Sequence, residues 1–221
     1  MQVAKGAEST PTADRAVTQQ LVEAVADAGE PGVRVWYPPE HVTFGRRDRR
    51  AAGYDQARQA AAARGYLPLE RDTGGRAVVL TGETLAIVRA EPADPREPAI
   101  DARYDRLLGD LESALRDLGV DADRGEPANA FCPGSHSLSA GGKVAGVAQR
   151  VTDGVATVAA VVVVRNAEAV RSVLDPVYAA LDVPFDRDSV DSLAAAGGAD
   201  APVVVRRTVE NAVVGDGNRT P

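Results

Sequence analysis

Apolar positions along the chain switch repeatedly between a spacing of three to four and a strict alternation, and the switches divide it into elements. Val17, Leu21, Val25 and Ala28 recur at helical spacing, which predicts a helix over about Asp14 to Asp27 with Asp14 as N-cap and Gly29-Glu30-Pro31-Gly32 as its stop. The alternating Val33 to Tyr37 reads as a strand ending at Pro38-Pro39, and Val42 to Gly45 as a second short one. An alanine-rich helix follows from Ala51 to Arg64 and stops at Gly65. Tyr66 to Glu70, Arg76 to Leu80 and Thr84 to Arg89 then read as three short strands separated by glycine-containing turns. The most regular helix spans about Asp101 to Leu118, because Ile100, Tyr104, Leu107, Leu108, Leu111, Leu115 and Leu118 share one face.

Lys143 to Arg150 and Val155 to Val164 read as strands joined at Thr152-Asp153-Gly154, whose Asp-Gly pair marks a tight hairpin. The second is an unbroken apolar run, expected to be buried on both faces of a sheet. Helices over Ala167 to Leu181 and Ser189 to Ala195 follow. After Gly197 the pattern loosens; Val203 to Val205 suits an edge strand, and Gly215 to Pro221 a frayed end. Helices before, between and after clustered strands predict an α+β fold, with a mixed, mostly antiparallel sheet packed with helices on one face. The organisation expected is a flexible N-terminus over 1–13, one domain over 14–196 and a tail over 197–221, with the proline-rich, acidic Glu91 to Pro98 as an exposed connector.

A 221-residue chain that is 44% hydrophobic and 26% charged suits one sizeable soluble domain. Its net charge of -7 argues against nucleic acid or an anionic membrane as a partner, since both need an excess of basic groups. One cysteine leaves no internal disulfide framework, and no apolar run has the length of a signal peptide or membrane span, so the expected compartment is the cytoplasm.

The stretch Phe131 to Arg150 holds that cysteine, Cys132, and Lys143, one of only two lysines in an arginine-rich chain. A position needing charge alone would have been filled by arginine like the others; lysine instead offers a compact, rotatable donor for a carbonyl or phosphoryl oxygen. Gly141-Gly142-Lys143 leads into a strand in which Ala145, Gly146 and Ala148 keep one side shallow, as a groove for a ligand or close packing of a helix both require. Cys132 lies in a Pro-Gly turn and reads either as a small buried hydrophobe or as a nucleophile. His136 is a candidate base for it, and otherwise a surface loop residue. Arg71-Asp72-Thr73-Gly74-Gly75-Arg76, between two strands, is either a plain glycine hairpin or a loop whose backbone approaches an anionic or carbonyl ligand between arginines. His41 has no neighbour that suggests a metal site, and the His/Cys clusters that zinc needs are missing from the sequence.

Taken in order and spacing, Val33 to Arg47, Glu70 to Leu80 and Gly141 to Arg150 resemble the lipoate-protein ligase, octanoyltransferase and biotin-protein ligase catalytic-domain family over about Asp14 to Asp188. The resemblance implies the α+β catalytic domain of that family and transfer of an octanoyl or lipoyl group to one lysine of a small acceptor, either a lipoyl domain of a 2-oxoacid dehydrogenase or glycine-cleavage H protein. It places Arg71, Thr73, Gly74, Gly75, Arg76 and Ala77 along the acyl or acyl-adenylate ligand, with Gly142 and Gly146 on the lysine strand. Lys143 would contact the reacting carbonyl or the adenylate phosphate, where backbone amides and a cation stabilise developing charge.

Phe131-Cys132-Pro133-Gly134-Ser135 resembles the transferase branch, in which a cysteine before the lysine strand carries an acyl thioester, and this implies that Cys132 is the nucleophile. The alternative branch is an ATP-dependent ligase, which would need ATP with magnesium and no cysteine. Absence of the extra C-terminal domain of many ligases favours a transferase, or a ligase with a separate accessory chain. Leu80 stands where many relatives carry a histidine, which keeps open a non-catalytic binder of acyl-carrier domains; biotin ligation is disfavoured by Thr73-Gly74-Gly75-Arg76-Ala77.

Overall fold

The computed structural model describes residues 1–72, 74–93 and 99–215. Its main sheet has seven strands in the order β1-β2-β6-β10-β9-β8-β7: Gln2–Ala4, Gly32–Trp36, Thr84–Pro92, Val155–Val163, Gly142–Thr152, Ser137–Ala140 and Asp123–Arg124. All neighbours pair antiparallel except β1 with β2, so the mixed, mostly antiparallel sheet of the α+β expectation is present. A second sheet, β4-β3-β5, joins Leu67–Glu70, His41–Phe44 and Val78–Leu80. The hairpin between β9 and β10 turns at Asp153 and Gly154, with φ of 51° and 76°, which is the left-handed pair that an Asp-Gly turn supplies.

Strand alternation sorts the main sheet into two faces. Val33 and Val35 of β2, Leu85 and Ile87 of β6, and Val158, Ala160 and Val162 of β10 point into a core with α3 (Ile100–Asp117) and α5 (Pro202–Val214). Arg34, Trp36, Ala86, Val88, Ala90 and Ala159 point the other way, towards α1 (Pro11–Ala28) at one end. The small sheet, backed by α2 (Tyr54–Ala62) and α4 (Ala167–Ala180), covers the other end of that face. Helices therefore lie on both faces rather than one, and Thr157, Ala159 and Val161 of β10 stay half-buried where full burial was expected.

Four local expectations are corrected. Thr10, not Asp14, caps α1, with Pro11 opening the helix. Asp14 turns inward instead: its carboxylate accepts from Arg34 Nη2 and Trp36 Nε1, both at 2.6 Å, and pins α1 to β2. The N-terminus begins with strand β1 rather than a flexible arm. Ser189 to Ala195 is no helix, because its amides go to the sheet: Asp191 donates to Lys143 O, Leu193 to Val163 O and Ala194 to Val164 O. The Val203 to Val205 edge strand is instead the start of α5, where Val205, Val209 and Val213 recur every four residues against the core. Of the connector, 94–98 lie outside the described residues, as do 216–221 of the expected frayed end and Thr73 of the glycine loop.

Candidate active site

Three glycine-bearing segments converge on Cys132. The sulfur lies 3.4 Å from Arg71 Nη2. That guanidinium also donates to Arg76 O at 2.6 Å, Thr43 Oγ1 at 3.1 Å and Gly74 O at 3.3 Å, so the glycine loop folds around its own arginine. Gly75 has φ 89°, and a Cβ there would sit 2.6 Å from the Cys132 sulfur. Gly45 is held equally close, since its Cβ would stand 2.3 Å from Gly75 O. Cys132 itself adopts φ 43°, rare for a residue with a side chain.

Lys143 reaches this loop from β9 through a bulge. Strand β8 pairs Leu138 with Ala145 and then Ser139 with Lys143, skipping Val144. Val144 and Ala145 therefore both enter the core, and Lys143 and Gly146 fall together on the opposite face, three residues apart. Gly146 makes room for the lysine: a Cβ would lie 3.0 Å from Lys143 Cε. The lysine is 1% exposed, and its ammonium donates to Phe131 O at 2.9 Å, Cys132 O at 3.1 Å and both Glu126 oxygens at 3.0 and 3.1 Å. Ser137 Oγ donates to Glu126 as well. These contacts occupy all three ammonium hydrogens. Lys143 thus grips the peptide carbonyls on either side of Cys132, while Arg71 is the cation at the sulfur.

A cavity of about 150 Å³ opens beside the thiol, lined by Cys132, Phe131, Gly146, Ala148 and Val161. A second, about 300 Å³, shares Arg71 and Ala159 to Val161 with it and extends between Trp36, Leu80, Ala86 and Val88. Small side chains on β9 and β10 leave this space between the two sheets, and its apolar walls suit an alkyl chain. His41 lines the second cavity and pairs across the small sheet with Leu80. Burial holds its pKa below the ordinary histidine value, and its Nδ1 contacts Pro39 O at 2.7 Å.

Residues 10–206 match the family described as the lipoyl protein ligase A/B catalytic domain. The chain belongs to that family. An octanoyl-[GcvH]:protein N-octanoyltransferase of Geobacillus kaustophilus is 32% identical over 161 residues, 72% of this chain and 57% of the relative. A lipoyl-[GcvH]:protein N-lipoyltransferase of Listeria monocytogenes is 30% identical over 119 residues, 53% of this chain and 43% of the relative. The chain spans about half the length of the curated relatives it matches. Among solved structures, lipoate-protein ligase A bound with ATP superposes with a TM-score of 0.73 at 20% identity, covering 96% of this chain and 83% of that one. The bi-partite lipoate protein ligase of Thermoplasma acidophilum gives 0.64 at 18% identity, with 96% and 82% covered. At these identities the superpositions speak for the fold.

Within this lipoyl ligase A/B domain, the residues singled out from sequence are distributed unevenly. Cys132, Arg71, Gly75, Lys143 and Gly146 come together. Gly74 is near through its carbonyl, but its Cα faces open space. Arg76 turns to the buried Asp48 at 3.4 Å, and Ala77 is buried with its carbonyl bound by Tyr178. Gly142 is a packing glycine, since a Cβ would meet the Val190 carbonyl carbon at 2.9 Å. His136 lines the first cavity with its ring stacked on Tyr104 at 3.5 Å, and no hydrogen bond links it to Cys132 among the described residues. Sequence reasoning missed Glu126 and Tyr178. The first is one of many acidic residues, and the second belongs to the apolar stripe of α4, where a tyrosine reads as core.

Proposed function

We propose that this chain is a protein acyltransferase that carries an octanoyl or lipoyl group as a thioester on Cys132. The observation that carries this reading is the placement of the thiol, in contact with Arg71 and the Gly75 backbone at the mouth of the apolar space between the sheets. In the first step the Cys132 sulfur bonds to the acyl carbonyl of an acylated protein lysine, the C–N bond breaks, and the amine leaves with a proton. In the second, an acceptor lysine amine forms a new amide and the C–S bond breaks to restore the thiol. Arg71 donates to the sulfur, and its charge would offset that developing on the carbonyl oxygen. The names of the relatives support glycine-cleavage H protein as the acyl donor. Lipoyl domains of 2-oxoacid dehydrogenases are the proposed acceptors. Lys143 serves the thiol through the loop it holds.

Incubation with octanoylated H protein tests this directly. The expected result is an enzyme heavier by one octanoyl group, without ATP, sensitive to hydroxylamine and absent in Cys132→Ala. Acceptor modification that needs ATP and free lipoate, and that survives Cys132→Ala, would instead establish a ligase working through an acyl-adenylate.

A further inference from the structure

Tyr178 of α4 has no part in the two chemical steps, yet its hydroxyl joins the loops that meet at the thiol. It accepts the Cys132 N–H at 2.5 Å and donates to Ala77 O at 3.0 Å. The side chain is fully buried, so water does not replace either bond. Burial also holds the phenol well above its ordinary pKa, which keeps it a neutral donor to Ala77 across physiological pH.

The need for such a contact lies in the backbone. Cys132 at φ 43° is in the left-handed region, which costs a residue with a side chain on the order of 1 kcal/mol and persists where neighbours hold it. Lys143 takes its carbonyl, and Tyr178 its amide. Ala77 is the residue through which the glycine loop enters β5, so the same hydroxyl ties Cys132 to the segment carrying Arg71 and Gly75. We infer that Tyr178 is a positioning residue: its hydroxyl fixes the Cys132 backbone so that the sulfur faces Arg71 and Gly75. The inference rests on Cys132 being the acyl carrier.

Two measurements test it. Because the chain has a single cysteine, protein labelled with ¹⁵N-cysteine gives one backbone amide signal, and its hydrogen exchange reads the bond to Tyr178 in the native protein. Slow, core-like exchange is expected; exchange at the rate of an open loop overturns the inference. Tyr178→Phe then keeps the ring, which packs on Phe185 at 5.1 Å, and removes only the hydroxyl. With the variant folded, acyl-enzyme formation should slow by about tenfold or more while half-saturation by the donor stays unchanged. A native rate in the folded variant, even with a lowered Tm, would leave Tyr178 merely structural and overturn the inference. Should the native protein take no acyl group, the acyl-carrier reading itself fails, and iodoacetamide then decides on Tyr178. A changed alkylation rate at Cys132 in Tyr178→Phe upholds its control of the thiol, and an unchanged rate overturns it.

Discussion

At Gly75 a single methyl group would meet three obstacles, the left-handed backbone at φ 89°, the Cys132 sulfur 2.6 Å away and Arg71 Nη2 at 3.0 Å. The first costs about 1–2 kcal/mol. The second is relieved only by turning the thiol, so Gly75→Ala should remain folded in urea titration while its acyl-enzyme forms far more slowly than in the native protein. Acylation at the native rate would separate Gly75 from the chemistry. Cys132 and Lys143 were legible because each is rare in this chain, and rarity is visible without a structure. What they touch was not: the resemblance put Lys143 at the acyl carbonyl or the adenylate phosphate, and nothing in the sequence showed that its ammonium meets Glu126 and two loop carbonyls. Side-chain partners eleven or more residues distant leave no periodic trace, and Glu126 and Tyr178 could be found only from coordinates.

Among the elements, α1 depends on a buried charge pair. Arg34 is 0% and Asp14 3% exposed, and Arg34 also binds Asp14 O, Thr18 Oγ1 and Gly6 O. Among the described residues, Arg34→Met leaves the buried carboxylate with Trp36 and the Glu8 amide to meet it, and should cost about 3–5 kcal/mol in denaturant unfolding. A loss under about 1 kcal/mol would mean that α1 moves to let water in. The sequence spacing had located this helix but assigned Asp14 to its end, because an N-cap and an inward-facing aspartate look alike until the partner strand is known. The valines of α5 misled in the same way: their intrinsic preference is for strands, and four-residue spacing against the core decides otherwise. The bulge at Val144 was equally hidden, although the odd spacing of Lys143 and Gly146 on one strand follows from it.

For the molecule as a whole, the α+β class and most strands were readable from local periodicity, while the division into two sheets with a cavity between them was not. That division rests on pairings such as His41 with Leu80, set by tertiary packing. Its electrostatics include one carboxylate held against its preference: burial raises Asp110 of α3 from 3.8 to about 6, with Arg89 and Arg106 partly opposing the shift. A raised folded-state pKa favours folding fully below the unfolded value near 3.8, and this contribution is lost as pH rises through about 6. Asp110→Asn should therefore raise Tm at pH 7.5 and leave it nearly unchanged at pH 4; equal shifts at both pH values would assign the effect to packing. The placement of α5 also matters for handling the protein. It covers the face of the main sheet opposite the one that lines the larger cavity, so a fluorophore on the exposed Val203 of α5 would lie across the sheet from that space and report on the protein without obstructing it.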